Sequence, residues 1–281
     1  MNLTVLHDPL ALHPLGWIHR IEARGIAAEF ERAGHAVRLV EFHEDRIPGA
    51  SPEALLLRLS DPVMLTAVRA LTHAGRRYFG PAAAVMTRCY DKYEASRFAL
   101  SRGVACPATI LASAAGTLPF PVVVKPRSGS DSLGVRVLRH GPIPAYLQTS
   151  GHIAQEQVRG VELTVGVTPE RAGHPLRLVL PEGTPYSFAR KYLFRPRREV
   201  LADPVLSERV RATALAVARM FEINWAARVD FIYDTRNDRL CLLECDAAPL
   251  VGPSSAFAAS LCAAGITREE QLRSLIDDTA G

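Results

Sequence analysis

Two short segments with apolar residues at alternate positions, Ala226–Tyr233 and Leu240–Cys245, flank the turn-forming run Asp234-Thr235-Arg236-Asn237-Asp238. Such a pattern reads as a β-hairpin. If the hairpin is centred on Asn237, antiparallel register sets Asp230 opposite Glu244 and Arg228 opposite Asp246. All four side chains then share one face, because strand side chains alternate. Like charges directly across a ladder destabilise it unless something neutralises them. Leaving the acids in water is one solution. A hard divalent cation is the other, and Mg²⁺ commonly takes one or two carboxylates plus substrate phosphates. Three acids and one arginine on a single face favour the metal reading, with Asp230, Glu244 and Asp246 as the ligands.

Cation usage adds a second constraint. Of 33 Lys plus Arg, only three are lysines: Lys92, Lys125 and Lys191. A chain that prefers arginine this strongly is expected to keep lysine where a compact ammonium is needed and a planar fork does not substitute. Phosphate binding by a point charge is such a role. Lys125 stands at the root of Pro126-Arg127-Ser128-Gly129-Ser130-Asp131-Ser132-Leu133-Gly134, between two β-rich runs, Phe120–Lys125 and Val135–Leu138. Small residues let backbone N–H groups turn inward around an anion, and serine hydroxyls add donors. A strand follows the loop, and no Gly-Lys-Ser/Thr is present, so neither a P-loop nor a dinucleotide fingerprint applies.

The remaining chain is ordered around these parts. Its 281 residues allow one large or two to three small domains. Residues 1–80 read as alternating strands and helices, hence a small parallel α/β unit. Leu3–His7, Ala36–Phe42 and Glu53–Leu59 are the expected strands, and Ile18–Arg32 is a helix closed by Gly34. Asp61-Pro62 is expected to cap and start a second helix. His7 and Asp8 end the first strand, where open α/β sheets commonly hold ligands, but taken alone the pair is expected to be a solvated turn. His13, His19, His35 and His43 show no metal-ligand spacing. Asp91-Lys92-Tyr93-Glu94 has a capping-box pattern, as does Thr267-Arg268-Glu269-Glu270. Ile153–Val158 and Leu163–Val167 are strand-like, with Glu156 and Glu162 among apolar neighbours. Acids so placed need partners, and a nucleotide's exocyclic amine and ribose hydroxyls could supply them. Lys191 and the basic run Arg195-Pro196-Arg197-Arg198 suit a lid over phosphates. Asp203-Pro204 caps a long amphipathic helix. Five scattered cysteines without a C-x-x-C pair fit reduced cytosolic thiols. The net charge of +4 is spread along the chain and does not suggest nucleic-acid binding. No apolar run reaches membrane-span length, and no signal pattern opens the chain.

In this order, Asp91-Lys92, Val124-Lys125-Pro126, Glu156-Gln157-Val158 with Glu162, Lys191, and the paired Arg228-Val229-Asp230-Phe231 and Leu242-Leu243-Glu244-Cys245-Asp246 resemble the ATP-grasp superfamily. The likeness spans about residues 80–256 and is closest to D-alanine–D-alanine ligases, with some similarity to RimK-type amino-acid ligases. The resemblance implies an N-terminal α/β domain (1–80), a central lobe (81–152) and a C-terminal lobe (153–281), the two α+β lobes holding ATP between them. It implies that Lys92 and Lys125 hold phosphates, with Ser130, Ser132 and Gly134 in the loop, and that Lys191 approaches the γ-phosphate from the lid. Glu156, Gln157 and Val158 become the adenine hinge, Glu162 meets the ribose, and Leu243 joins the nucleotide contacts. Asp230, Glu244 and Asp246 match Mg²⁺ ligands, for two ions with Mn²⁺ as a substitute. Arg228 matches an arginine that stabilises a tetrahedral intermediate, and Ser255 a serine that binds a substrate carboxylate.

Departures from the family pattern bear on the substrate. A Gly-Gly-x-Ser-x-Glu opening is replaced by His7-Asp8-Pro9, so D-alanine is not carried over as the first substrate. The last metal ligand, usually Asn, is Asp246, and Ser-Pro-Gly becomes Ala248-Pro249-Leu250, where leucine keeps the backbone N–H and narrows the pocket. The expectation is an ATP-dependent carboxylate–amine ligase acting on amino acids or small peptides through an acyl phosphate. It is expected in the cytoplasm, without nucleic-acid or membrane partners, and compatible with a homodimer. The alternatives are a cyclising amide-forming ligase of an amino-acid antibiotic pathway, a nucleotide-binding regulator without activity, and a phosphotransferase.

Overall fold

The computed structural model describes residues 1–9, 16–47, 53–129, 133–179 and 197–277. Apolar runs near the N-terminus form β1 (Asn2–His7), β2 (Ala36–Glu41), β3 (Ala54–Arg58) and β4 (Tyr78–Phe79), a parallel sheet in the order β2-β1-β3-β4. Helix α1 (Gly16–Arg32) buries Ala23, Ile26, Ala27 and Phe30 against it, the spacing of one helical face. It stops at Gly34, whose φ of +86° suits glycine. Helix α2 (Asp61–His73) begins at the residue expected to cap it, one position earlier than expected. Ser60 is the cap, and Asp61 stands in the first turn with Pro62. Ser60 does not cap through its hydroxyl, because that group donates to Asp8 Oδ1 at 2.6 Å while its N–H donates to Asp8 Oδ2 at 2.8 Å. Asp8 is fully buried, so the solvated turn expected at His7-Asp8 is instead a buried junction between β1 and α2.

Helices α3 (Ala83–Tyr90) and α4 (Lys92–Ser101) lead to the central sheet. Asp91 caps α4, accepting from the N–H groups of Tyr93 and Glu94 at 3.1 and 3.2 Å. The Glu94 carboxylate turns to Arg127 at 3.4 Å rather than back to the cap. Strands β5 (Thr109–Leu111), β6 (Val122–Pro126), β7 (Arg136–Leu138) and β8 (His152–Glu156) pair antiparallel in the order β5-β8-β6-β7. β8 thus belongs with residues before it, and the expected lobe boundary at 152/153 falls within that strand. Ala112, Val122, Val124, Ile143, Leu147 and Ala154 form a separate small core for this sheet.

The third sheet is β9 (Val161–Val167), β10 (Leu176–Val179), β11 (Arg197–Val200), β12 (Ala227–Asp234) and β13 (Arg239–Asp246), in the antiparallel order β11-β10-β9-β12-β13. Helix α5 (Pro204–Met220) is capped by Asp203, which accepts from Val205 and Leu206 N–H at 3.0 Å. Helix α6 (Ala256–Ala263) lies so close to β9 that a Cβ on Gly166 would stand 2.7 Å from the Phe257 carbonyl oxygen. Helix α7 (Arg268–Ser274) opens with the expected Thr267–Glu270 capping box. This sheet does not stand apart from the N-terminal one. Leu6 and Leu57 share a core with Val165, Phe231 and Leu242, while Leu3, Val5 and Phe30 pack with Trp225, Val251 and Phe257. Among the described residues no helix is long and apolar enough to cross a membrane.

Candidate active site

The hairpin β12–β13 has the expected pairing at the end that matters: Arg228 opposes Asp246 and Asp230 opposes Glu244. Toward the turn the register is offset by one, with Phe231 opposite Leu242. Leu243 is the extra residue, a β-bulge that keeps the pairing yet twists the strand locally. β9 extends the same face, with Thr164 beside Asp230 and Gly166 beside Arg228.

The three acids converge on Arg228. Its Nη2 lies 2.9 Å from Asp230 Oδ2 and 3.5 Å from Glu244 Oε1, and its Nη1 lies 3.2 Å from Asp246 Oδ2. Burial opposes the charge on the guanidinium, but Asp230, Asp246 and Glu244 outweigh it and raise its pKa. Thr164 donates to Asp230 Oδ1 at 2.6 Å. Arg228 is thus a partner that all three carboxylates share. Among the described residues no three His, Cys, Asp or Glu side chains stand at metal-holding spacing, and Arg228 occupies the point on which the acids aim. The donor set nevertheless fits a hard cation, because all three groups are carboxylates.

Lys92 and Lys125 face this cluster from the other side. Lys92 begins α4, and its ammonium donates to the Gly129 carbonyl. Its backbone N–H donates to Arg127 O at 2.9 Å, and Arg127 in turn grips Asp91 at 2.7 Å. The root of the small-residue loop is thus tied to the start of α4. At the far end of the loop, Gly134 has a φ of +73°, and a Cβ there would reach 3.0 Å from Pro126. Burial lowers the Lys125 pKa to about 8, with Lys92 adding to the shift and Glu244 and Glu162 opposing it. Glu162 shows the converse. Burial, then the charges of Asp230 and Glu244, raise its pKa to about 7, against the pull of Lys125.

At the expected hinge, the Glu156 carboxylate already has protein partners: Arg239 at 2.6 Å and the Ala108 N–H at 3.1 Å. With those two partners the carboxylate does not by itself call for a nucleotide amine. Gln157 N–H donates to Pro121 O at 3.3 Å and Val158 N–H to Glu156 O at 3.1 Å, a tight turn out of β8. Ser255 caps α6, its Oγ accepting from Ala258 N–H at 3.0 Å. Ser130, Ser132 and Lys191, with Arg195 and Pro196 of the basic run, lie outside the described residues.

A cleft of about 630 Å³, counted to its open mouth, lies between these parts. Arg228, Glu244 and Asp246 form one wall, and Lys92 and Gly129 another. His19 of α1, Asp61 of α2, and Met86, Cys89 and Tyr90 of α3 close the far side, with Ala248 and Leu250 at the end of β13. Leu250 was expected to narrow the pocket, but sequence reasoning gave no site role to His19, Asp61, Met86, Cys89 or Tyr90. The Cys245 thiol, hydrogen-bonded to Cys89 and buried, has its pKa raised well above the usual thiol range and stays protonated. Burial, then the charge of Asp61, also raises the Tyr90 phenol.

An N-terminal parallel sheet and two further sheets that bring lysines and a carboxylate hairpin to one cleft define an ATP-grasp ligase. The solved D-alanine–D-alanine ligase of Bacillus anthracis complexed with ATP superposes with a TM-score of 0.82 at 20% identity, covering 99% of this chain and 97% of that one. The VanG D-Ala:D-Ser ligase of Enterococcus faecalis superposes at 0.75 with 14% identity, over 98% of both chains. In sequence, the D-alanine–D-alanine ligase of Acidiphilium cryptum is 31% identical over 256 residues, 83% of each chain. That of Rhizorhabdus wittichii is 24% identical over 304 residues, 95% of this chain and 97% of the relative. The family model described as D-ala D-ala ligase C-terminus matches residues 97–277. The chain belongs to the D-alanine–D-alanine ligase family, and is an ATP-dependent ligase that joins a carboxylate to an amine.

Proposed function

We propose that this ligase activates an amino-acid or small-peptide carboxylate as an acyl phosphate and passes it to a second amine. The observation that carries the reading is a cleft lined by Lys92, Arg228, Glu244 and Asp246, with Asp230 paired to Arg228 and buried Lys125 within reach of the Glu244 charge. Lys92 and Lys125 hold the phosphates of ATP, with Ser130, Ser132 and Gly134 as further phosphate contacts and Lys191 as the cation at the γ-phosphate. Gln157 and Val158 offer backbone to the base, with Glu162 on the ribose and Leu243 beside it. Asp230, Glu244 and Asp246 would hold Mg²⁺, which when bound neutralises phosphate charge. The substrate carboxylate attacks the γ-phosphorus, a P–O bond forms, and the bond to the β-phosphate oxygen breaks to release ADP. The amine then attacks the acyl carbon, loses a proton and expels phosphate. Arg228 faces the oxyanion that develops in that step, and Ser255 offers its hydroxyl proton to the second substrate's carboxylate.

The relatives are named for D-alanine, and one fold neighbour for D-serine as partner. His7-Asp8-Pro9 and Leu250 separate this chain from the family pattern, so the first substrate is proposed as an amino acid other than D-alanine. The test is ADP release from ATP and Mg²⁺, screened against single and paired amino acids, D-alanine included, and short peptides. Release that needs two substrates is the expected result. Dependence on one substrate makes the enzyme a cyclase or phosphotransferase, and ATP binding without any release overturns the reading.

A further inference from the structure

Residues 249–252 follow β13 without regular secondary structure, yet Pro249, Val251 and Gly252 are buried. Leu250, between them, lines the cleft. Buried backbone groups outside helices and sheets must find partners elsewhere. Here four of them find charged side chains. Arg58 Nη2 donates to Pro249 O at 2.8 Å. The N–H groups of Val251 and Gly252 both donate to Glu22 Oε1, the second at 2.9 Å. Arg268 Nη1 donates to Val251 O at 2.9 Å.

These side chains are themselves two ion pairs. Arg58, fully buried over the Trp225 ring, meets Glu22 Oε2 at 2.6 Å. Arg268 forks onto Glu29 at 2.9 and 2.6 Å. Glu22 and Glu29 are seven residues apart on α1, about two turns, so one helix face carries both pairs. Isolated buried ion pairs stabilise a fold poorly, because desolvation offsets their attraction. Here one buried pair and one partly buried pair close on the backbone of one short segment, where they act on position.

We propose that Glu22–Arg58 and Glu29–Arg268 form a clamp that fixes residues 249–252, making Leu250 a rigid wall that sets the size of amino acid the cleft admits. The four charged groups are positioning residues, since none touches a reacting atom. What the cleft admits rests on the ligase reading; the clamp itself does not.

The experiment therefore begins with amide hydrogen exchange at Val251 and Gly252, which needs no substrate. Glu22→Gln and Arg58→Lys should each speed exchange there by about tenfold or more. Arg58→Lys keeps the charge but loses the fork, and carries the test if Glu22→Gln does not fold. KM for D-alanine, or for the amino acid of the screen with the fastest ADP release, should rise about fivefold or more, with kcat and the Kd of ATP changing less than about twofold. A merely structural role would lower Tm and leave KM unmoved. Leu250→Ala should leave exchange unchanged and shift kcat/KM toward bulkier side chains by about tenfold. Unchanged exchange in both clamp variants overturns the clamp. Faster exchange with unchanged KM, or Leu250→Ala without a shift in preference, overturns its role in selection. If no amino acid elicits ADP release, the ligase reading fails while exchange still decides the clamp.

Discussion

Lys125 is a buried ammonium whose pKa falls to about 8, and ATP phosphates are its natural counter-charge. Without ATP it sheds its proton as pH rises through that value, so affinity for ATP should fall on the alkaline side. The expected loss between pH 7 and pH 9 is about tenfold, because the protonated fraction falls to about a tenth one pH unit above the pKa. Lys125→Arg keeps its charge and should flatten the profile, while Lys125→Ala should weaken binding throughout. Calorimetric Kd values across that range decide it, and a flat profile for the unaltered protein would contradict the assignment. Glu162 has the opposite sign. Its carboxyl is raised to about 7 from an unfolded value near 4.5, so its favourable contribution is present below the unfolded value and is lost as pH rises through the folded one. Glu162→Gln should therefore be nearly neutral near pH 4 and stabilise the metal-free protein at pH 8 by on the order of 2 kcal/mol. Urea unfolding at the two pH values gives the comparison, and equal effects at both would show that Glu162 ionises normally.

The hairpin β12–β13 is the element where sequence and structure agree most closely, and it shows why the agreement ends where it does. Alternation alone placed Arg228, Asp230, Glu244 and Asp246 on one face, because a strand's side chains have a strict period. The bulge at Leu243 was invisible, since no glycine or proline marks it. The clamp was illegible for another reason: Glu22, Arg58 and Val251 meet only through tertiary packing. A signal did exist in Arg58, a charge inside the apolar run Ala54–Leu59, and in Glu22 and Glu29 beside Ala23, Ile26, Ala27 and Phe30 on a largely apolar helix face. Glu156 likewise seemed to need a ligand because Arg239, its partner, lies on a distant strand. The hairpin carries its own prediction. In the metal-free protein Asp246 is one of three acids around Arg228, so Asp246→Asn removes charge without removing an oxygen donor. Activity should persist at saturating Mg²⁺ and need more of it at half effect. Glu244→Gln should lose most turnover, since it takes away a proposed ligand that also faces Arg228. ADP release titrated with Mg²⁺ distinguishes them, and normal turnover of Glu244→Gln at low Mg²⁺ would remove the metal assignment.

At the scale of the whole molecule the cores are unequal. The N-terminal sheet and the β9–β13 sheet share buried side chains, so they are expected to open together. The central sheet, spanning residues 109–156, rests on a separate core of six buried residues. A unit that small buries too little apolar surface to be stable alone. Asp91–Arg127, Glu156–Arg239 and the bond from Lys92 N–H to Arg127 O at 2.9 Å tie it to the rest. Amides of β6 and β8 should therefore exchange through a local opening of lower free energy than those of β9 and β12. Val124 and Val165 are both fully buried, one in each core. Val124→Ala should lower the opening free energy of β6 and β8 by about 2 kcal/mol and leave β9 nearly unchanged, with Val165→Ala doing the reverse. ATP, proposed to lie against Lys125 of β6 and Glu162 of β9, bridges the two bodies. At about 100 times its Kd it should raise the opening free energy of β6 and β8 by about 2.7 kcal/mol, and lift the β9 amides only to the extent that they open separately from the remaining core. Hydrogen exchange resolved by strand, with and without ATP, measures all four quantities. If both valine substitutions lower every strand equally, the molecule is one cooperative unit and the central lobe does not move as a body when the cleft opens.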